Sequence, residues 1–187
     1  MSSVPIVDID GTFSEARRKM VHRVHIGIGS NLGNRRVHYQ KALELVAALP
    51  KTRIVKRSSL YESEPHGDAK NWYVNGVIEI ETEFLPDKLL QRLQAIEQAM
   101  GRKKTPQTKR WASRKIDLDI LLFENQTLDT PTLKIPHPEI QHRRFVLVPL
   151  SELAPHLTHP RLGVTIVELL AHLKDNKRVT LLPPHAE

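Results

Sequence analysis

Cysteine is absent from the 187 residues. That excludes disulfides and thiolate metal sites. Long apolar runs are also missing: none approaches the roughly 20 residues of a membrane span, and the N-terminus has no apolar signal-peptide core. A soluble cytoplasmic protein is expected. Aromatic residues are sparse, with four Phe, three Tyr and two Trp, and none forms the exposed sheet pattern that an RNA-binding module of the RNP type needs. Acidic residues are in deficit. Asp plus Glu number 21 against 28 Lys plus Arg, a formal charge of +7, which favours an anionic partner without choosing one. Glycine is missing where nucleotide fingerprints need it. After Gly27-Ile-Gly29 the third glycine of the dinucleotide pattern is replaced by Leu32, and no Gly-Lys-Ser/Thr occurs anywhere. There is no internal repeat and no linker, so one domain with a real core is expected.

What is present centres on Arg110 to Phe123, Arg-Trp-Ala-Ser-Arg-Lys-Ile-Asp-Leu-Asp-Ile-Leu-Leu-Phe. It reads as a basic loop feeding a strand. Strand alternation puts Ile116, Leu118, Ile120 and Leu122 on one apolar face. Asp117, Asp119, Leu121 and Phe123 take the other. A strand apolar on both sides is normally central in a sheet, and like charges there need neutralising. Mg²⁺ ions, or cations such as Arg114 and Lys115, would serve; two surface aspartates at a strand end is the plainer alternative.

Taken in order, residues 1–20 read as a mobile extension, 21–175 as the domain and 176–187 as a tail. Arg23 to Gly29 is a strand. Ser30-Asn-Leu-Gly-Asn34 is turn chemistry, and Asn34 caps a helix reaching about Leu49. Thr52–Tyr61 and Trp72–Thr82 are strands. Pro86 opens a second helix with apolar Leu89, Leu93, Ile96 and Met100, which Gly101 ends. Gly101 to Lys115 is a long basic connection suited to closing over a polyphosphate. A short strand near Leu133–Ile135, the Pro136-His-Pro138 segment and a helix from about Thr165 follow. The order strand, helix, strand, strand, helix, strand predicts an α+β, ferredoxin-like βαββαβ antiparallel sheet with helices packed on it and added C-terminal helices.

Four motifs occur in sequence: Gly29-Ser-Asn-Leu-Gly33, Ser59-Leu-Tyr-Glu-Ser-Glu-Pro-His-Gly67, the Arg110–Phe123 stretch, and Pro136-His-Pro138 with His142-Arg-Arg-Phe-Val-Leu-Val-Pro-Leu150. As an ordered set over about residues 22–172 they closely resemble the 6-hydroxymethyl-7,8-dihydropterin pyrophosphokinase family of folate biosynthesis. The resemblance implies an ATP-dependent diphosphokinase that forms AMP and the pterin diphosphate. It also implies ATP as co-substrate, the hydroxymethyl pterin as acceptor, two Mg²⁺ ions on Asp117 and Asp119, no nucleic acid or membrane partner, and a monomer. Two strand positions span about 6.6 Å of backbone, and carboxylates so placed can converge on ions about 3.5–4 Å apart.

Carried over residue by residue, the resemblance gives Arg102 and Arg114 catalytic roles beside Asp117 and Asp119. It places Gln94, Glu97, Lys104, Trp111, Arg114, Ile120, His137 and Arg143 on the ATP side. For the pterin it points to Ser63, Glu64, Pro65, His66, Tyr73, Asn75, Trp111, Asp117 and Phe145, with Tyr73 and Phe145 sandwiching the ring. Lys104 stands where an arginine is frequent, a point charge in place of a fork, and the basic loop is about two residues longer than in short members of the family. Glu64 and His66 replace proline and leucine of some members. Two other readings are weighed: a different Mg-dependent phosphoryl or nucleotidyl transferase, and a basic RNA-binding module.

Overall fold

The computed structural model describes residues 20–65, 71–102 and 114–183. All but the last residue of the expected extension 1–20 therefore lies outside it.

Strand β1 (His22–Ser30) leads through a turn to helix α1 (Arg35–Ala47). The Asn34 side chain accepts the Val37 N–H at 3.2 Å, the expected N-cap. Strands β2 (Thr52–Arg57), β3 (Tyr61–Ser63) and β4 (Tyr73–Thr82) follow. One strand was expected over Thr52–Tyr61. It breaks because the Ser58 hydroxyl, in place of a backbone carbonyl, accepts the Val77 N–H at 2.9 Å. Helix α2 (Pro86–Ala99) has Pro86 in its first turn. Gly101, at φ +97°, closes it in a conformation glycine adopts without strain.

After α2 come strand β5 (Asp117–Phe123), the pair β6 (Leu128–Asp129) and β7 (Lys134–Ile135), and a short 3₁₀ turn at Ile140–His142. Helices α3 (Arg144–Leu153) and α4 (Ile166–Ala171) and strand β8 (Val179–Leu181) complete the chain. Helix α3 is an element beyond those expected from the sequence, and it carries Pro149 in its interior.

The main sheet runs β5-β1-β4-β3-β8, and β2 also pairs with β4. Its pairings are antiparallel. On one face Val24, Ile26, Ile28, Ile78, Ile80, Leu118 and Ile120 pack against Ala42 and Val46 of α1 and Leu89, Leu93 and Ile96 of α2. Full burial of a Leu or Ile is worth about 1.5–3 kcal/mol, so this layer dominates stability. The other face is shared. Val77, Leu121 and Leu122 pack under Val146, Leu147 and Leu150 of α3 and Ile166 of α4. His25 and Glu79, also on that face, are buried, and the part around Gly27 and Gly29 is left as a cleft.

Two expectations need correction. Strict alternation put Leu122 with Ile120 and Phe123 with Leu121. The β1–β5 register slips between His25 and Ile26, pairing His25 with Leu122 and Ile26 with Ile120. Leu121 is thus the extra residue of a β-bulge. Phe123 returns to the α1–α2 core, and Leu121 and Leu122 both serve the α3 side. The expected tail 176–187 contributes β8, paired with β3 from Tyr61–Leu181 to Ser63–Val179. Among the described residues no helix is long and apolar enough to cross a membrane.

Candidate active site

The open part of the α3-side face is a cleft of about 290 Å³. Its floor is glycine. In register, Asp117 of β5 stands opposite Gly29 of β1, which stands opposite Asn75 of β4; Asp119, Gly27 and Val77 form the next row. With strands about 4.8 Å apart, Asp117 and Asn75 are separated by roughly 10 Å of sheet. No side chain rises between them. A Cβ on Gly29 would stand 3.0 Å from the Asn75 amide oxygen, so the floor is shaped by absence of side chain. Gly27-Ile-Gly29, no nucleotide fingerprint, is instead a platform.

One wall is acidic and basic together. Arg102 Nη1 and Arg114 Nη1 each donate to Asp117 Oδ1 at 2.9 Å. Arg102 also pairs with Glu97. Glu97 is buried beneath the strand and accepts the Leu118 N–H at 3.0 Å. Its burial pushes its pKa up to about 7 despite that bond. Asp119 is likewise pushed up to about 7, by burial first and then by the neighbouring Asp117 charge. Across the cleft His137 is held by its backbone, donating its N–H to the carbonyl of the bulged Leu121 at 2.9 Å. Burial, then the Arg143 charge, lower its pKa to about 4, so its imidazole is neutral near pH 7. The Arg143 guanidinium lies 5.7 Å from the Phe145 ring centroid.

The other end is lined by aromatic rings and polar groups. Asn75 Nδ2 donates to Ser63 Oγ at 2.7 Å, both groups buried. Tyr73 and Phe145 line the same space, as does Glu64.

Of the site residues expected from sequence, Arg102, Arg114, Asp117, Asp119, His137 and Arg143 line the cleft, and so do Ser63, Glu64, Tyr73, Asn75 and Phe145. Glu97 stands directly behind this wall. Gln94 and Pro65 are partly exposed and outside the lining. The Ile120 side chain belongs to the α1–α2 core, because it alternates with Asp119; it is not brought to the cleft. His66, Lys104 and Trp111 lie outside the described residues.

Sequence reasoning missed two organisers. Asn31, in the Gly-Ser-Asn-Leu-Gly turn, accepts the Arg114 N–H at 2.8 Å and returns its own N–H to the Arg114 carbonyl at 3.2 Å. Glu152, near the end of α3, accepts from Ser59 N at 3.0 Å, Ser59 Oγ at 2.9 Å and Tyr61 Oη at 2.9 Å. Nothing local in sequence marks either partner, since the separations are 83 and 91–93 residues.

Two carboxylates fit a hard dication. Asp119 pays for its charge in this enclosure, and a cation would offset that penalty. Among the described residues no cluster of three or more His, Asp or Glu donors gathers. A Mg²⁺ ion held by these two carboxylates would take phosphate oxygens and water as its other ligands, the arrangement it favours.

An acid pair and arginines beside a pocket end lined by Tyr73, Asn75 and Phe145, all on one antiparallel sheet and the helix it carries, are the equipment of a transferase that handles phosphate. The chain belongs to the 7,8-dihydro-6-hydroxymethylpterin-pyrophosphokinase family, whose model matches residues 25–155. Among its relatives, the 2-amino-4-hydroxy-6-hydroxymethyldihydropteridine pyrophosphokinase of Pseudomonas aeruginosa is 48% identical over 153 residues, 81% of this chain and 92% of the relative. That of Haemophilus influenzae is 41% identical over 160 residues, covering 85% and 98%. A crystal structure of wild-type Plasmodium falciparum HPPK-DHPS superposes with a TM-score of 0.62 at 17% identity over 81% of this chain, which spans 43% of that longer one. That likeness bears on the fold alone.

Proposed function

We propose that this chain transfers pyrophosphate from ATP to 6-hydroxymethyl-7,8-dihydropterin, giving AMP and the pterin diphosphate in folate biosynthesis. The single observation that carries this reading is the glycine-floored cleft that joins an end lined by Tyr73, Phe145 and the Asn75–Ser63 pair to an acidic and arginine-lined wall. A generic nucleotidyl transferase has no use for such an end, and an RNA-binding module has none for the acid pair.

The fold reading that goes with it is ferredoxin-like. The order β5-β1-β4-β2, with α1 and α2 on one face, supports it. The catalytic unit we assign extends past the expected domain end at 175 to include β8.

The pterin ring lies on the Gly27–Gly29 floor between Tyr73 and Phe145. Asn75, held by Ser63, reads its polar edge, and backbone at Ser63–Pro65 closes that side. Asp117 and Asp119 would hold the two Mg²⁺ ions that the family resemblance implies, and these would supply charge neutralisation of the phosphates. Arg102, Arg114 and Arg143 face the phosphates and stabilise charge that builds up on transfer. His137, neutral, donates or accepts a hydrogen bond on the nucleotide side. Lys104 and Trp111 are assigned to the nucleotide by the family resemblance, with Trp111 also serving the pterin. Glu97 orients Arg102 and the Leu118 backbone. In the reaction the pterin hydroxymethyl oxygen forms a bond to the β-phosphorus. The bond from that phosphorus to the α,β-bridging oxygen breaks, AMP leaves with the electron pair, and the hydroxyl proton passes to solvent.

The test is incubation of purified protein with ATP, Mg²⁺ and the hydroxymethyl pterin, followed by nucleotide chromatography. Pterin-dependent AMP is expected. ADP as product, or AMP formation indifferent to pterin, would overturn the reading.

A further inference from the structure

The segment from Asp175 to Pro183 lies beyond the residues matched by the family model, and none of it lines the cleft. Yet it bonds to three of the cleft's supports. First, it caps α3. Arg143, at the N-cap position, makes no side-chain cap bond. Asp175 Oδ2 supplies one from outside, accepting the Arg144 N–H at 3.0 Å, and the Asp175 carbonyl accepts from Arg144 Nη1 at 3.5 Å. The next residue along α3 is Phe145. A carboxylate at this end satisfies a free donor and meets the positive pole of the helix.

Second, the segment grips the end of β3. Arg178 N and Nε donate to the two Glu64 carboxylate oxygens at 3.1 and 3.0 Å, and Glu64 N donates back to the Arg178 carbonyl at 3.1 Å. These bonds hold the Glu64 carboxyl below the usual carboxylate range. β8 then pairs along β3 to Leu182 N, which donates to the Leu60 carbonyl at 2.8 Å. Third, the Arg178 guanidinium lies 5.3 Å from the Trp72 ring centroid, next to Tyr73. Arg36 Nη2 anchors the far end on the Pro183 carbonyl at 2.8 Å.

Resting on the function proposed above, we infer that Asp175–Pro183 is a brace that sets the pterin end of the cleft, with Asp175 and Arg178 as positioning residues. It joins the helix bearing Phe145, the strand end bearing Ser63 and Glu64, and the residue preceding Tyr73. These supports come from three separate parts of the chain. The brace fixes their spacing before pterin arrives, so less ordering is left to be paid on binding. An edge strand that merely covers β3 would protect the sheet but would have no reason to cap α3 or to engage Trp72.

The test uses full-length Arg178→Ala, Asp175→Ala and Asp175→Asn. Asn retains an acceptor for the Arg144 N–H and is a good cap. The side chain of Arg178 is 72% exposed, so its loss leaves the core packing untouched. The two alanine variants are expected to raise KM for the pterin about tenfold while kcat and KM for ATP stay within about twofold, and Asp175→Asn is expected to restore most of the difference. Unchanged pterin KM in both alanine variants, or a loss that lowers Tm and kcat without separating the two substrates, would overturn the brace while leaving the parent activity standing. Absence of pterin-dependent AMP from the wild-type chain would defeat the parent function, and the brace with it.

Discussion

At the residue scale, the two aspartates of β5 differ in what answers their charge. Asp117 is held by Arg102 and Arg114. Asp119 meets burial and a like charge, and its pKa rises to about 7. A carboxyl whose folded-state pKa is raised binds its proton more tightly folded than unfolded. Its contribution to stability is therefore present below the unfolded value near 4 and is lost as pH rises through about 7. Asp119→Asn removes that loss. In metal-free buffer containing a chelator, the variant is expected to match wild type near pH 4 and to exceed it by about 1–3 kcal/mol at pH 8. Turnover with Mg²⁺ is expected to fall by at least about a thousandfold, because Asn is a poor substitute for an anionic ligand. Thermal melts across pH, with a parallel AMP assay, check both halves. Equal melting temperatures at pH 8 would remove the electrostatic cost argued for Asp119, and near-normal turnover would remove its metal role.

At the scale of elements, the platform depends on β1 contributing nothing above the sheet. Gly29→Ala places a Cβ 3.0 Å from the Asn75 amide oxygen. The amide must turn, and its bond to Ser63 is disturbed. The expected outcome is a pterin KM raised by about ten- to a hundredfold, equivalent to one or two hydrogen bonds, with ATP KM little changed. Steady-state kinetics in both substrates decides it; an unaltered pterin KM would show that Asn75 is not the edge reader.

The same elements show what a chain discloses about itself. The Asn34 cap, Pro86 in the first turn of α2 and Gly101 at its end are local chemistry, and each was legible. Asp117 and Asp119 on one face followed from strand period alone. The bulge at Leu121 did not, because it is a property of the pairing with β1, and nothing in Ile-Leu-Leu-Phe marks which residue is extra. β8 was hidden for a related reason: a short basic segment near the end becomes a strand only because β3 offers an edge. Asn31 and Glu152 act on residues more than 80 positions away, beyond the reach of any spacing rule. Ile120 was carried over to the ATP side, and its side chain instead fills the helical core.

At the scale of the whole molecule, charge and ligand binding meet in one measurable quantity. The chain carries a formal +7, and the cleft concentrates Arg102, Arg114 and Arg143 around an acid pair. Free ATP brings negative charge to both. The arginines attract it, while Asp117 and Asp119 repel it until a dication intervenes. Binding to the folded state alone stabilises it by about 2.7 kcal/mol at a hundredfold excess over Kd. For a chain of this size each kcal/mol corresponds to roughly 2–4 °C in Tm. Saturating ATP with Mg²⁺ is therefore expected to raise Tm by about 5–10 °C. ATP with a chelator is expected to give a clearly smaller shift, because the Asp pair is then unanswered. In Asp117→Ala the arginines lose their internal partner and the proposed metal site loses a carboxylate, so the Mg²⁺-dependence of the shift is expected to shrink while metal-free ATP binds better than to wild type. Scanning calorimetry on both chains with ATP, with and without Mg²⁺, tests this. Identical shifts in wild type with and without the metal would mean that the acid pair does not govern nucleotide binding.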